Sequence, residues 1–114
     1  MRDDRERLSD ILEAIIRIEK YSIGGKRVFE SNELIQNWIL RYLQIIGEAG
    51  NQISAQFRIL HPELPWRAIV GMRNILVHQY FDIDLEIVWS VVERDLPDFK
   101  RKIESILKTW KDSS

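Results

Sequence analysis

The sequence predicts an all-α fold: an up-and-down four-helix bundle whose last helix is split or kinked near Pro97. Three features of the chain point there. Apolar residues recur at steps of three and four through almost its whole length, the spacing that lines one face of a helix. No segment alternates apolar and polar residues for more than a few positions, so no strand is indicated. The periodic segments are separated by turn and capping signals at Gly24-Gly25, at His61-Pro62-Glu63-Leu64-Pro65 and at Tyr80-Phe81-Asp82-Ile83-Asp84.

The first helix is expected over about residues 3–21, where Leu8, Ile11, Leu12, Ile15 and Ile18 share a face. Asp3, Asp4 and Glu6 suit the positive end of its dipole, and Gly24-Gly25 ends it. The second starts from a cap at Ser31 or Asn32 and continues to Leu60 through Ile35, Trp38, Tyr42, Ile46, Ile53 and Phe57. At 1.5 Å per residue, roughly thirty residues span about 45 Å. Gly47 and Gly50 interrupt it, each costing about 1 kcal/mol relative to alanine. They mark either a neighbouring helix approaching closely or room for a ligand or partner backbone beside Glu48 and Asn51. Pro65, at or near a first helical position, opens a third helix from about Trp66 to Gln79. Ile69, Val70, Met72, Ile75, Leu76 and Val77 cover most of its circumference, which makes it a central, largely buried helix. Asp84 caps the fourth, where Leu85, Trp89, Val92, Leu96, Phe99, Ile103, Ile106 and Trp110 hold one stripe across Pro97. Pro97 cannot donate to the carbonyl of Glu93, hence the expected split or kink.

With 114 residues the prior is one domain spanning 1–114. Apolar content of 45% and charged content of 31% suit an ordinary globular protein rather than a disordered one. Four tryptophans, three tyrosines and four phenylalanines exceed what so small a core requires, so some are expected at an interface. The absence of cysteine excludes disulfides, thiolate catalysis and cysteine zinc sites. Two histidines, His61 and His78, make a histidine-rich metal site improbable, and no cofactor is implied. The charged start Met1-Arg2-Asp3-Asp4-Arg5-Glu6-Arg7 holds no secretory apolar core. No apolar run approaches the roughly 18 residues of a membrane span, so the expected location is the cytoplasm. A net charge of −1, from 17 basic and 18 acidic residues, argues against indiscriminate coating of nucleic acid but allows a local basic cleft.

Chemistry concentrates in Arg73-Asn74-Ile75-Leu76-Val77-His78-Gln79-Tyr80. Polar groups on a buried helix are expensive unless paired, so Arg73, Asn74 and His78 stand out. Arginine offers a fixed fork of donors suited to phosphate, and histidine titrates near neutrality. Together they are the minimum kit for metal-free phosphodiester cleavage, one group stabilising phosphorane charge while the other moves a proton. Asn74, four residues before His78 on the same stripe, can hold the imidazole in one tautomer or contact substrate. On an ideal helix, however, His78 points about 140° away from Arg73. One helix therefore reaches a single small target with both only if it frays near His78 or a second copy contributes.

Other signals have plainer explanations. His61 beside Pro62 reads as a loop residue. Asp3-Asp4 and Asp82-Ile83-Asp84 read as helix-end charges rather than metal ligands. Gly24-Gly25 lacks the Lys and Ser/Thr of a phosphate-cradling loop. Lys100-Arg101-Lys102, with Lys108 and Lys111, is either a solvated face or an edge turned to a polyanion.

The pattern Arg73-x-x-x-x-His78-x-Tyr80, with a polar residue directly after the arginine, resembles the signature of HEPN domains and specifically of HepT-like toxins. Leu43-Gln44-Ile45-Ile46-Gly47-Glu48-Ala49, Pro65-Trp66, Val88-Trp89 and Asp95-Leu96-Pro97 look like further landmarks of that family, in order over nearly the whole chain. The resemblance implies a helical homodimer acting as a metal-independent RNase, in which two motif copies meet in one cleft. Arg73 and His78 would be catalytic, and Asn74 would bind or orient substrate. It further implies pairing with an MntA-like nucleotidyltransferase antitoxin in a type VII toxin–antitoxin system, which transfers AMP from ATP to Tyr80, singly or repeatedly. The rival class is a non-catalytic helical dimer that binds nucleotide or docks the nucleotidyltransferase, since phosphate-binding and phosphate-cleaving sites use the same residues.

Overall fold

A computed structural model of the protein describes residues 3–74 and 84–110, and among them every regular element is helical. α1 spans Asp4–Tyr21. The Asp3 carboxylate caps it by accepting the Glu6 N–H at 2.8 Å, and Asp4 and Glu6 charge its first turn. Leu8, Ile11, Ala14, Ile15 and Ile18 form its buried stripe, so the expected helix is found nearly to the residue.

A short helix with no counterpart in the sequence reading follows, α2 at Gly25–Ser31. Gly25 adopts φ 84°, a left-handed backbone that lets the chain reverse directly after α1. Phe29 is buried from α2, and the Gln36 amide donates to the Phe29 and Glu30 carbonyls at 2.8 and 3.2 Å. Asn32 closes α2 and opens α3 (Glu33–Gln52), its side-chain oxygen accepting the Ile35 N–H at 3.1 Å.

The continuous helix expected as far as Leu60 is instead two, α3 and α4 (Ala55–Leu60). Ile53 and Ser54 between them are extended, with ψ of 139° and 152°. The Ser54 hydroxyl accepts the Phe57 N–H at 3.1 Å and donates to the Asp4 carboxylate at 2.6 Å. The Ser54 N–H donates to the same carboxylate at 2.9 Å. A serine cap contributes about 1 kcal/mol, and bonds to a charged acceptor are stronger than neutral ones, so the break is locally favoured. Ile53 and Phe57 stay buried, which is why the apolar periodicity runs on across it. The Arg58 guanidinium donates to the Gly50 carbonyl at 2.7 Å, beside the 3.3 Å bond which that carbonyl accepts from the Ile53 N–H where α3 ends.

α5 covers Trp66–Gly71. The helix expected to run from Trp66 to Gln79 therefore stops early and passes into a turn at Met72 and Arg73, and the remainder of that expectation lies outside the described residues. Asp84 caps α6 (Leu85–Ser90), accepting the Glu86 and Ile87 N–H groups at 3.0 and 3.3 Å. One π-helical turn, Val91–Asp95, leads into α7 (Leu96–Trp110). The Leu96 N–H reaches back five residues to the Val91 carbonyl. A proline ring in a regular helix crowds the carbonyl four residues before it, and widening the preceding turn is one way to relieve that crowding. The irregularity expected near Pro97 thus lies in the turn before it, and the chain stays helical through the proline.

α1 and α3 run antiparallel: Asp4 and Arg7 meet Ser54 and Gln52 at one end, and Tyr21 stacks on Trp38 at the other (ring centroids 5.7 Å apart). α7 packs on α1, with Lys100 bonded to Glu19 at 2.9 Å, and Trp110 stacks on Phe57 at 5.1 Å. Trp89, Val92, Leu96, Phe99, Ile103 and Ile106 of the expected stripe are buried in this all-α bundle. Among the described residues no polar or charged one is fully buried, and no helix is long and apolar enough to cross a membrane.

Candidate functional site

α5 delivers the arginine. Pro65 stands immediately before its first turn, the Trp66 indole N–H donates to the His61 carbonyl at 2.9 Å, and Ile69 is fully buried against α3. Beyond Gly71 the hydrogen bonds become those of a tighter turn: the Met72 N–H to the Ile69 carbonyl (3.2 Å) and the Arg73 N–H to the Val70 carbonyl (3.4 Å). Met72 remains buried, whereas Arg73 is half-buried and Asn74 exposed. The expected burial of these polar groups on a central helix is therefore not what the structure has. The regular helix ends at Gly71, just before the half-buried Arg73 and the exposed Asn74. His78 and Tyr80 lie outside the described residues.

The two glycines of α3 are explained by this segment. A Cβ at Gly50 would stand 2.7 Å from Cγ2 of Ile69, and one at Gly47 would stand 2.5 Å from the backbone nitrogen of Arg73. Both are sites of close approach by the neighbouring chain, the first of the two readings above, and that space is filled by protein. Glu48 and Asn51 are exposed, and Glu48 accepts from the Gln44 amide at 3.3 Å. Sequence reasoning noticed the glycines but missed that one of them backs the motif arginine.

A groove of about 320 Å³ lies between α1 and α3, with Asp10, Glu13, Tyr42, Ile45 and Glu48 among its lining. Carboxylates from both sides, Asp10 and Glu13 of α1 and Glu48 of α3, repel a polyanion, so this groove does not extend a phosphate-binding surface. Each cation of the run Lys100-Arg101-Lys102 has a carboxylate partner. Lys100 pairs with Glu19, which raises its pKa, while Arg101 and Lys102 converge on Asp98 at 2.9 and 3.0 Å. Lys102, then Arg101, holds the Asp98 carboxyl below the usual range. His61 is a loop residue 3.1 Å from Glu63, whose pKa is lowered first by a backbone hydrogen bond and then by that histidine. Asp3 and Asp84 cap helices, as expected of them.

Residues 11–106 match the model of a family described as ribonuclease HepT-like. The "Putative RNase MJ1380" of Methanocaldococcus jannaschii is 38% identical over 106 residues, covering 92% of this chain and 97% of that one. The "Probable ribonuclease HepT" of Thermococcus cleftensis is 39% identical over 110 residues, covering 94% and 98%. The "mRNA nuclease HepT" of Shewanella oneidensis is 45% identical over a shorter stretch of 40 residues, 35% of this chain and 30% of that one. No solved structure matches the chain significantly.

Proposed function

From the premise that this chain belongs to the HepT-like ribonuclease family, we propose that it is the metal-independent RNase toxin of a HepT/MntA toxin–antitoxin pair. The observation that carries this reading is the family match over residues 11–106, which includes the whole Arg73-x-x-x-x-His78-x-Tyr80 pattern. The partial exposure of Arg73 in the turn after α5 and the exposure of Asn74 directly after it support it, because donors there are open to a phosphate. In this reading residues 1–114 are one HEPN domain that works as a homodimer in the cytoplasm.

The chemistry needs no metal. The ribose 2′-hydroxyl attacks the adjacent phosphorus, so that the O2′–P bond forms as the P–O5′ bond breaks. His78 moves the proton, removing it from the nucleophile or supplying it to the leaving oxygen. The Arg73 fork binds the non-bridging oxygens and offsets the charge that grows on the phosphorane. Asn74 orients His78 or contacts the substrate. Purified protein is expected to cleave RNA in EDTA, and His78→Ala to lose at least about 100-fold of that rate. Cleavage that persists in His78→Ala removes the histidine from its role. An inactive wild type that still binds its transferase would leave the non-catalytic docking module.

Control falls to Tyr80. Its phenol attacks the α-phosphate of ATP once the antitoxin removes its proton; the Oη–P bond forms and pyrophosphate leaves. Each AMP brings negative charge and a bulky nucleoside to a site that binds RNA phosphate, and Arg73 pairs with the attached phosphate as it would with substrate. Co-expression with the cognate nucleotidyltransferase is expected to raise the intact mass by whole AMP units, and Tyr80→Phe to abolish every adduct. Adducts surviving in that variant would place the modification elsewhere.

A further inference from the structure

We infer that Gly47 is a positioning residue for the reaction, a seat in α3 that sets the direction from which the Arg73 guanidinium enters the site. This rests on the reading of Arg73 as the phosphate-binding group. A Cβ at Gly47 would lie 2.5 Å from the Arg73 backbone nitrogen, 2.8 Å from Arg73 Cβ and 3.1 Å from its Cα. The volume that a side chain would take at Gly47 is thus filled by the main chain of the motif arginine and the root of its side chain.

The contact differs in kind from its neighbour. Gly50 and Ile69 form the same slot one turn along, but there the incoming atom is a side-chain methyl, Cγ2, at 2.7 Å. A disturbance at Gly50 is taken up by packing of Ile69. A disturbance at Gly47 moves backbone. Arg73 stands in a turn past the end of α5, where its N–H reaches the Val70 carbonyl at 3.4 Å. What holds its Cα–Cβ direction is the flat face that α3 presents by having no side chain at Gly47. A guanidinium hangs on the end of a long lever, so a small shift at Cα becomes a larger one at the phosphate, and misplacement by about 1 Å costs on the order of 100-fold in rate.

Full-length Gly47→Ala and Gly50→Ala are compared in three measurements. These are the kcat and KM of RNA cleavage, the thermal midpoint, and the Nε–Hε proton–nitrogen signal of Arg73, assigned by its loss in Arg73→Lys. Gly47→Ala is expected to keep its helical circular dichroism, to shift the Arg73 Nε–Hε signal and to lower kcat/KM by about 100-fold. Gly50→Ala is expected to lower the thermal midpoint while leaving that signal in place and the rate within about threefold of wild type. A folded Gly47→Ala with an unshifted Arg73 signal overturns the inference. So does activity that falls alike in both variants and in step with the midpoint, which is what a merely structural role produces. If Gly47→Ala does not fold, hydrogen exchange in the wild type decides: the Arg73 amide is expected to be protected like the α3 amides, and exchange at the rate of an open turn overturns the seat. If the wild type cleaves no RNA, the RNase reading falls, while the Arg73 signal still shows whether Gly47 positions it.

Discussion

A mixture of Arg73→Ala and His78→Ala subunits is expected to cleave RNA although neither variant does so alone. Each substitution removes one half of the chemistry, and loss of a single charge-stabilising donor or proton-transfer group lowers rates by roughly 10²–10³-fold. On a regular helix the two side chains diverge by about 140°. Arg73 is moreover held against α3 of its own subunit through the contact of its backbone and Cβ with Gly47, which fixes where its side chain begins. A two-fold dimer removes the difficulty by facing Arg73 of one subunit with His78 of the other. Purification on both tags leaves only mixed dimers, and each has one of its two Arg73–His78 pairs whole, so recovery of about half of wild-type activity is expected. The measurement is RNA cleavage in EDTA after co-expression of differently tagged subunits and purification on both tags, alongside each variant alone. A mixture as inactive as its components would mean that both groups act from one subunit.

The long amphipathic elements were legible because their stripes are long. α1 and the run from Leu85 to Trp110 each repeat the three-and-four spacing for several turns, and most of each stripe is buried, with Leu12, Leu85 and Trp110 partly so. Breaks decided by distant partners were not legible. The periodicity of α3 passes through Ile53 to Phe57 without a fault, and what stops the helix is a Ser54 that bonds to Asp4, 50 residues away. α2 was missed because seven residues with one buried side chain, Phe29, have no period to detect. Pro97 announced an irregularity but not its position, since the wide turn at Val91–Asp95 takes up the crowding before the ring is reached. At the site, residue types spoke for themselves: an arginine, an amide and a histidine in one short stretch suggest phosphate chemistry wherever the helix lies. Their setting did not. That α5 ends at Gly71, just before a half-buried Arg73 and an exposed Asn74, and that Arg73 is backed by Gly47, are facts which local spacing does not encode.

The largest expected loss of stability belongs to the element that the sequence hid. Trp89→Ala is expected to destabilise the protein by about 3–5 kcal/mol, the usual range for removing a large aromatic from a core. Trp89 is 8% exposed and Phe29 only 1%, with their rings 5.3 Å apart and tilted by 34°, so the indole is what α2 packs on. Removing it leaves a cavity bounded by α2 and α6 and frees Phe29 from its main aromatic partner. A domain of this size has roughly 5–15 kcal/mol in all, so the variant loses about a fifth or more of its margin, with the thermal midpoint falling by roughly 12–25 °C. The same two helices are also joined outside by Lys26 and Glu86 at 2.8 Å, but both side chains are largely in water there, 45% and 67% exposed. A pair so placed exchanges hydration for a screened attraction and gains little, so Lys26→Ala is expected to leave the midpoint nearly unchanged. Thermal and urea unfolding followed by circular dichroism distinguish the two contributions. A Trp89→Ala midpoint within a few degrees of wild type, or a Lys26→Ala loss as large as that of Trp89→Ala, would mean that α2 is held by its surface charges and not by the burial of Phe29 against the indole.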